Sequence, residues 1–334
     1  MEKHEKILKK SRRIAIVRTD KLGDMVLTLP MLNAIKESVP NADVDIIASS
    51  YTEVLLKGQG LINQFHFVDK IDGGIDRIFK LNHYDAVFFP RPRFDEIFAA
   101  FKHRIPLRIG SGYRWYSFLL NHKVYEHRRT AEKNEAQYNV DLVNDITKLK
   151  HKAKLIKPNF DSKIDIYQKI PSMNSSNGLI IIHPGGGGSA PKWSADKFGQ
   201  LAKLIINNHD LNVLITGTPD ESSLALEVQN ITDGRVINLC GLLNLEEMIA
   251  LMNESKCLIA NSTGVLHIAA AVGISVMGFY PNTPSMSSKR WGALTDRAKF
   301  LSPPLSDDIT RNDDLQLIPS EVAYSAFKEL CQKF

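Results

Sequence analysis

Three short stretches hold the residues best suited to chemistry. The first is Leu179 to Lys192, LIIIHPGGGGSAPK: an apolar run, a His-Pro pair, four glycines, a serine and a lysine. Glycine has no Cβ, so the backbone N–H groups of Gly185 to Gly188 can come very close to a bound group. Ahead of the helix predicted from Ser194 and DKFGQLAKLI, such N–H groups form an anion site. Lys192 adds a full positive charge. Gly186, Gly187, Gly188, Ser189 and Lys192 therefore read as a diphosphate cradle.

The second stretch, NSTGVLHIAAAVG, follows the predicted strand CLIA. Ser262 and Thr263 can cap the next helix or hydrogen-bond a phosphate, and Gly264 lets the backbone approach. His267 lies one turn further on. A lone helix histidine is more often structural, but the phosphate-type turn before it puts the two readings on an even footing. The third stretch is TDKLGDMVLTLP. Asp24 sits where the first strand hands over to the first helix, an edge at which open α/β sheets bind ligands. It could face a bound ligand, or simply cap the helix and complement its dipole. Asp20 is a second candidate carboxylate that could equally pair with Arg18 or Lys21. In VLITGTPDES, Asp220 and Glu221 could hold ribose hydroxyls, or start a helix.

The pattern that must position these residues alternates strands and helices. Arg13 to Arg18, Val44 to Ala48, Phe65 to Val68, Ala86 to Phe89 and Leu107 to Ile109 read as strands, with helical stretches between them. Pro30 kinks or restarts the first helix, having no N–H to donate. Near Ile156 to Asn177 the periodicity lapses into linker chemistry, with Pro158, Pro171 and the run SMNSSNG. It restarts as LIIIH, VLITG, VINLCG, CLIAN and SVMGFY with helices between. Two doubly wound α/β domains with parallel sheets follow from this pattern. The segment Arg91 to Arg129 is rich in Arg, Lys and His with interleaved aromatics. Most of its rings read as ordinary packing, and some of its cations as substrate-facing.

Composition excludes several classes. The longest apolar stretch, near Ile268 to Tyr280, is too short and too Gly-interrupted to span a bilayer. Three cysteines without metal-type spacing give neither a zinc site nor a disulfide framework, so a cytoplasmic setting is the default. No nucleic-acid-binding signature is present, and a net charge of +5 is modest enough to be a solvated surface or to favour an acidic substrate. A dinucleotide-dependent epimerase or dehydrogenase would need G-x-G-x-x-G after the first strand, and TDKLGD does not supply it.

RTDKLGDMVLTLPMLNAIKESVPNADVDII, HPGGGGSAPKWSADKFGQLAKLI and GLLNLEEMIALMNESKCLIANSTGVLHIAAAVGISVMGFY together resemble, in order and spacing, the family 9 glycosyltransferases, the heptosyltransferases of lipopolysaccharide core synthesis. The resemblance implies a GT-B fold of two Rossmann-like domains facing a central cleft. Residues 1–170 would bind acceptor, 176–318 would bind nucleotide-sugar, and a C-terminal helix in 319–334 would pack back on the first domain. It implies an inverting, metal-free transferase without cofactor, with ADP-heptose as donor and a lipid-linked oligosaccharide as acceptor. Asp24 would be the general base, Lys192 would hold the donor phosphates, and Thr263, Gly264 and His267 would form the Thr-Gly-x-x-His turn. Ser262 departs from the pattern, since many members have aspartate there. That leaves a non-catalytic nucleotide-sugar-binding protein as an alternative. The Asp43-Val44-Asp45 run reads as incidental. A lipid-linked acceptor implies peripheral contact with the inner face of the inner membrane, assisted by the N-terminal Lys/Arg cluster.

Overall fold

The computed structural model describes residues 2–159, 164–170, 177–187 and 190–332, leaving out the side chains of 309 and 310. It divides into two compact units: Met1–Arg128 with Lys133–Asn159, and Arg129–Glu132 with Phe160–Phe334. Each holds a six-stranded, all-parallel sheet. The first sheet contains β1 (Arg13–Arg18), β2 (Asp43–Ala48), β3 (Phe65–Phe67), β4 (Ala86–Phe89), β5 (Leu107–Ser111) and β6 (His122–Val124). The second contains β7 (Gly178–His183), β8 (Leu211–Ile215), β9 (Ile237–Asn238), β10 (Ser255–Asn261), β11 (Ser275–Phe279) and β12 (Ala298–Leu301).

The strand orders are β3-β2-β1-β4-β5-β6 and β12-β11-β10-β7-β8-β9. Counted from its own first strand, each sheet has the doubly wound order 3-2-1-4-5-6. The winding reverses between β1 and β4 in one unit and between β7 and β10 in the other. Loops leaving the C-terminal ends of those central strands diverge, and the crevice between them is where such sheets take ligands. The central strands RIAIVR and GLIIIH are nearly continuous apolar runs because helices cover both faces of a parallel sheet. Ile14 to Val17 and Ile180 to Ile182 are fully buried accordingly.

Two strands escape the sequence pattern. β6 and β12 are short edge strands carrying His and Lys, with no apolar run to mark them. The predicted strand VINLCG shrinks to β9, and its remainder turns through Gly241 in a left-handed conformation. Pro30 does restart the chain: a helix Leu22–Val26 stops, and Pro30 opens the helix Pro30–Ser38 where no N–H is needed.

Three placements bear on the sequence reading. The turn Ile166–Lys169 belongs to the second unit, where Lys169 pairs with Glu247 at 2.7 Å, so the units part before residue 170. The final helix Ser320–Cys331 sends Ala323, Ala326, Phe327 and Leu330 into the core of the second unit, against the helix Ala195–Asn208. Those four positions form one apolar stripe, and a single stripe can be buried only once. This apolar stripe packs within the second unit. Lastly, the rings after Arg91 are not core. The helix Phe94–Lys102 buries Glu96, Ile97, Ala99 and Ala100 and leaves Phe94, Phe98 and Phe101 outside.

Candidate active site

In the first unit the loops after β1 and β4 meet at the reversal of strand order. Arg18, the last residue of β1, is buried, and its Nε lies 2.5 Å from Asp20 Oδ1. Its Nη2 donates to Asp24 Oδ1. From the neighbouring loop Arg91 donates to the other oxygen of Asp20 at 3.1 Å. Thr19 donates its hydroxyl to Glu96, which is buried in the helix following β4. Two loops far apart in sequence are thereby laced into one polar edge. Asp24 stands in the first turn of the helix Leu22–Val26, but Lys21 is the N-cap residue and makes no side-chain cap. Asp24 is thus not the N-cap: Arg18 orients it, and its place in the first turn still complements the helix dipole.

Electrostatics make Asp24 a better base than a free aspartate. Burial raises its pKa, Asp20 and Glu135 push the same way, and Arg18 and Arg91 oppose without winning. Glu96 is raised further, to about 7, chiefly by burial and against the Thr19 hydrogen bond. Asp45, from the Asp-Val-Asp run, has a structural task. Although buried, it is held down to about 2 by hydrogen bonds from His66, Asn63 and Tyr84 and by the charge of Arg13.

In the second unit the glycine loop leaves β7 and the Thr-Gly turn leaves β10, on the two sides of the reversal. A methyl group on Gly186 would lie 3.7 Å from Thr263 Cβ and 4.0 Å from Lys192 Cε. Two stretches far apart in sequence thus converge on one spot. The helix Gly264–Val272 begins there, and its N-cap Thr263 makes no side-chain cap, so its hydroxyl faces no helix N–H, while of the first-turn N–H groups that of Leu266 donates to Thr263 O at 3.2 Å. Gly188 and Ser189 lie outside the described residues. Gly187 has open space where a side chain would stand.

Asn261, the last residue of β10, holds both ends of the loop. Its amide oxygen accepts from Trp193 N at 2.8 Å, and its amide nitrogen donates to Pro184 O at 2.8 Å and Trp193 O at 3.2 Å. Trp193 is buried, stacks on Phe279 at 4.0 Å between ring centroids, and donates its indole N–H to Ile318 O at 3.0 Å. Gln316 donates to Lys192 O at 2.7 Å. The backbone of Lys192 is fixed while its side chain stays exposed, which suits a cation that must meet an incoming phosphate.

Several candidates acquire different tasks. Glu221 accepts from Gly186 N at 2.7 Å and Thr218 N at 2.8 Å, so it fastens the glycine loop and is not turned outward to a ribose. Asp220, beside it, is exposed. Ser262 hydrogen-bonds the hydroxyl of buried Tyr280, which in turn donates to Trp291 O at 3.1 Å. His267 is buried, and burial lowers its pKa to about 4, so it is neutral near pH 7. Its Nδ1 has no hydrogen-bond partner among the described residues. His183, at the end of β7, is also held below its ordinary pKa by burial, and its Nδ1 meets Thr216 Oγ1 at 3.0 Å.

The roles of Arg18, Arg91, Glu96, His183 and Asn261 in the site are not apparent from the sequence stretches alone. The available signal was positional: four of the five lie at or just beyond the C-terminal end of a central strand, and Glu96 lies in the helix that follows one.

Residues 82–315 match the pattern of glycosyltransferase family 9 (heptosyltransferase). This chain belongs to glycosyltransferase family 9. A Haemophilus influenzae protein provisionally named a glycosyltransferase is 28% identical to it, covering 93% of this chain and 95% of its own length. Lipopolysaccharide heptosyltransferase 2 of Salmonella typhimurium is 22% identical over 82% of this chain and 84% of its own. Among solved structures, a family 9 glycosyltransferase of Veillonella parvula superposes with a TM-score of 0.84 at 16% identity, covering 97% of this chain and 98% of that one. The Escherichia coli ADP-heptose lipopolysaccharide heptosyltransferase II superposes with a TM-score of 0.79 at 18% identity, covering 96% and 99%. The family 9 enzyme described here therefore has the GT-B fold, two Rossmann-like doubly wound domains, and it is a glycosyltransferase.

Proposed function

We propose that this family 9 enzyme moves a heptose from ADP-heptose onto a sugar hydroxyl of a lipid-linked core oligosaccharide, with inversion and without a metal ion. The observation that carries the reading is the convergence of Gly186, Thr263 and Lys192 on the strand-order reversal of the second unit. An exposed cation, loop amides and an uncapped helix start are what a departing diphosphate requires as charge builds on it. They supply positive potential without a metal. Solved relatives named as an ADP-heptose heptosyltransferase, and as a heptosyltransferase with ADP, support the choice of donor.

On the acceptor side Asp24 takes the hydroxyl proton as the oxygen attacks the anomeric carbon. Arg18 orients the carboxylate, and burial keeps it basic. The bond from the anomeric carbon to the diphosphate breaks as the new glycosidic bond forms on the opposite face of the ring. ADP leaves, its charge met by Lys192.

The test is transfer from ADP-heptose to a core oligosaccharide, with and without EDTA, followed as ADP release and glycan mass. EDTA leaves the rate unchanged. Asp24→Asn keeps donor affinity but loses turnover by on the order of a hundredfold or more. Lys192→Ala weakens both ADP binding and turnover. Wild-type-like turnover in Asp24→Asn removes the base assignment. ADP binding without any transfer turns the reading to a nucleotide-sugar-binding protein.

A further inference from the structure

The helix Phe94–Lys102 carries three rings on its outer face. Phe94, Phe98 and Phe101 are four and three residues apart, so they line up along one side of the helix. Each is nearly half exposed. Phe94 stacks on Phe98 with 5.7 Å between ring centroids and on Trp115, from the loop after β5, at 5.4 Å. Trp115 extends the face and is 75% exposed, and Phe118, three residues further on, is 66% exposed. Contiguous exposed apolar surface of this kind marks an interaction site.

The charges around the rings favour one occupant. Arg93 and Lys102 are neutralised by Asp95 at 3.2 Å and Asp76 at 2.8 Å. Arg104 and Arg114 are exposed and make no side-chain hydrogen bond or ion pair among the described residues. The Arg108 guanidinium lies over the Phe101 ring at 5.5 Å. What is left unneutralised is positive, beside rings with apolar bodies. That combination suits the boundary between phosphate headgroups and acyl chains.

We propose that this face docks on an anionic lipid bilayer, with Phe98, Phe101, Trp115 and Phe118 at the headgroup boundary and Arg104 and Arg114 on lipid phosphates. The helix that carries the face also reaches the proposed acceptor edge. Glu96, on the buried side of the same helix, accepts from Thr19, and Arg91, just ahead of it, pairs with Asp20. Docking would hold the Asp24 edge at the surface where a lipid-linked acceptor is anchored. This purpose rests on the acceptor proposed above, whereas the binding itself does not.

The test uses the full chain, with neither donor nor acceptor. It is co-sedimentation with phosphatidylcholine vesicles, with and without phosphatidylglycerol, at low and high salt. The protein sediments with phosphatidylglycerol vesicles, salt weakens the association, and tryptophan emission shifts to the blue as Trp115 leaves water. Phe98→Ser combined with Trp115→Ser binds at least about tenfold more weakly, with an unchanged melting temperature and unchanged transfer to a water-soluble acceptor. Arg104→Glu with Arg114→Glu, which touches no ring, gives the same loss and serves if the ring variant fails to fold. Absence of sedimentation with anionic vesicles, or wild-type sedimentation by the arginine pair variant, overturns the proposal. So does a concentration-dependent dimer that the ring variant abolishes, which would assign the face to a second copy of the chain. Vesicle binding by a protein that fails the transfer assay would remove the acceptor reading and leave this one standing.

Discussion

Gly185→Ala tests how the glycine loop is held. An alanine Cβ at this position would sit 2.0 Å from Glu221 Oε1 and 2.5 Å from Oε2, so the carboxylate must leave. Gly185 is not among the positive-φ glycines, so alanine fits its backbone and the effect belongs to the clash. Moving Glu221 breaks its bonds from Gly186 N at 2.7 Å and Thr218 N at 2.8 Å. Hydrogen bonds to a charged group contribute about 1.5–3 kcal/mol each when buried. Glu221 retains some solvent access, so water replaces part of what is lost and the low end applies. The expected destabilisation is about 2–4 kcal/mol, or a fall in melting temperature of roughly 5–15 °C for a unit of this size. Scanning calorimetry and ADP titration measure it, with Gly187→Ala alongside. There an added Cβ meets nothing within 4 Å, so stability holds while ADP binding weakens, because the methyl occupies the open side of the loop. A Gly185→Ala protein that melts like the wild type refutes the role given to Glu221. Normal ADP affinity in Gly187→Ala refutes the loop as the phosphate seat.

Glu96→Gln reports on the buried acid beneath the Arg18–Asp24 edge. With a folded pKa of about 7 against an unfolded value near 4.5, the folded state holds its proton where the unfolded state has lost it. The resulting stability is fully present below the unfolded pKa and is lost as pH rises through about 7, an effect of up to about 3 kcal/mol. Glutamine removes that slope, so urea unfolding finds the variant more stable than wild type at pH 8 than at pH 5; parallel curves would contradict the raised pKa. Asn261→Ala leaves Trp193 N–H and two carbonyls unpaired in the interior. It costs about 1–3 kcal/mol per unsatisfied group and weakens ADP binding, and unchanged ADP affinity would separate the clamp from the site. Because the Asp24 pKa is raised, kcat/KM falls on the acid side at a pH above the ordinary aspartate range. An acid limb at the free-aspartate value would count against Asp24 as the base.

The strand–helix alternation, the two Rossmann-like halves, the glycine loop, the Thr-Gly turn and Asp24 are legible in the sequence because each is local. A β-branched run, a run of glycines or a carboxylate just past a strand carries its meaning within a few residues. The edge strands β6 and β12 were not legible, because they are too short to show a period and are defined by the neighbour they pair with. Nor was the burial of the final helix in the second unit, since its apolar stripe says that it packs but not where. Strand order decided the rest. Only when β4 lies beside β1 does Glu96 meet Thr19, and only when β10 lies beside β7 does Asn261 clasp Trp193 and Thr263 approach Gly186. Glu221 turning inward, Ser262 turning to Tyr280 and the rings after Arg91 turning outward follow from the same cause. Sequence gives a side chain its chemistry, but which way it faces depends on contacts between residues that the chain itself keeps far apart.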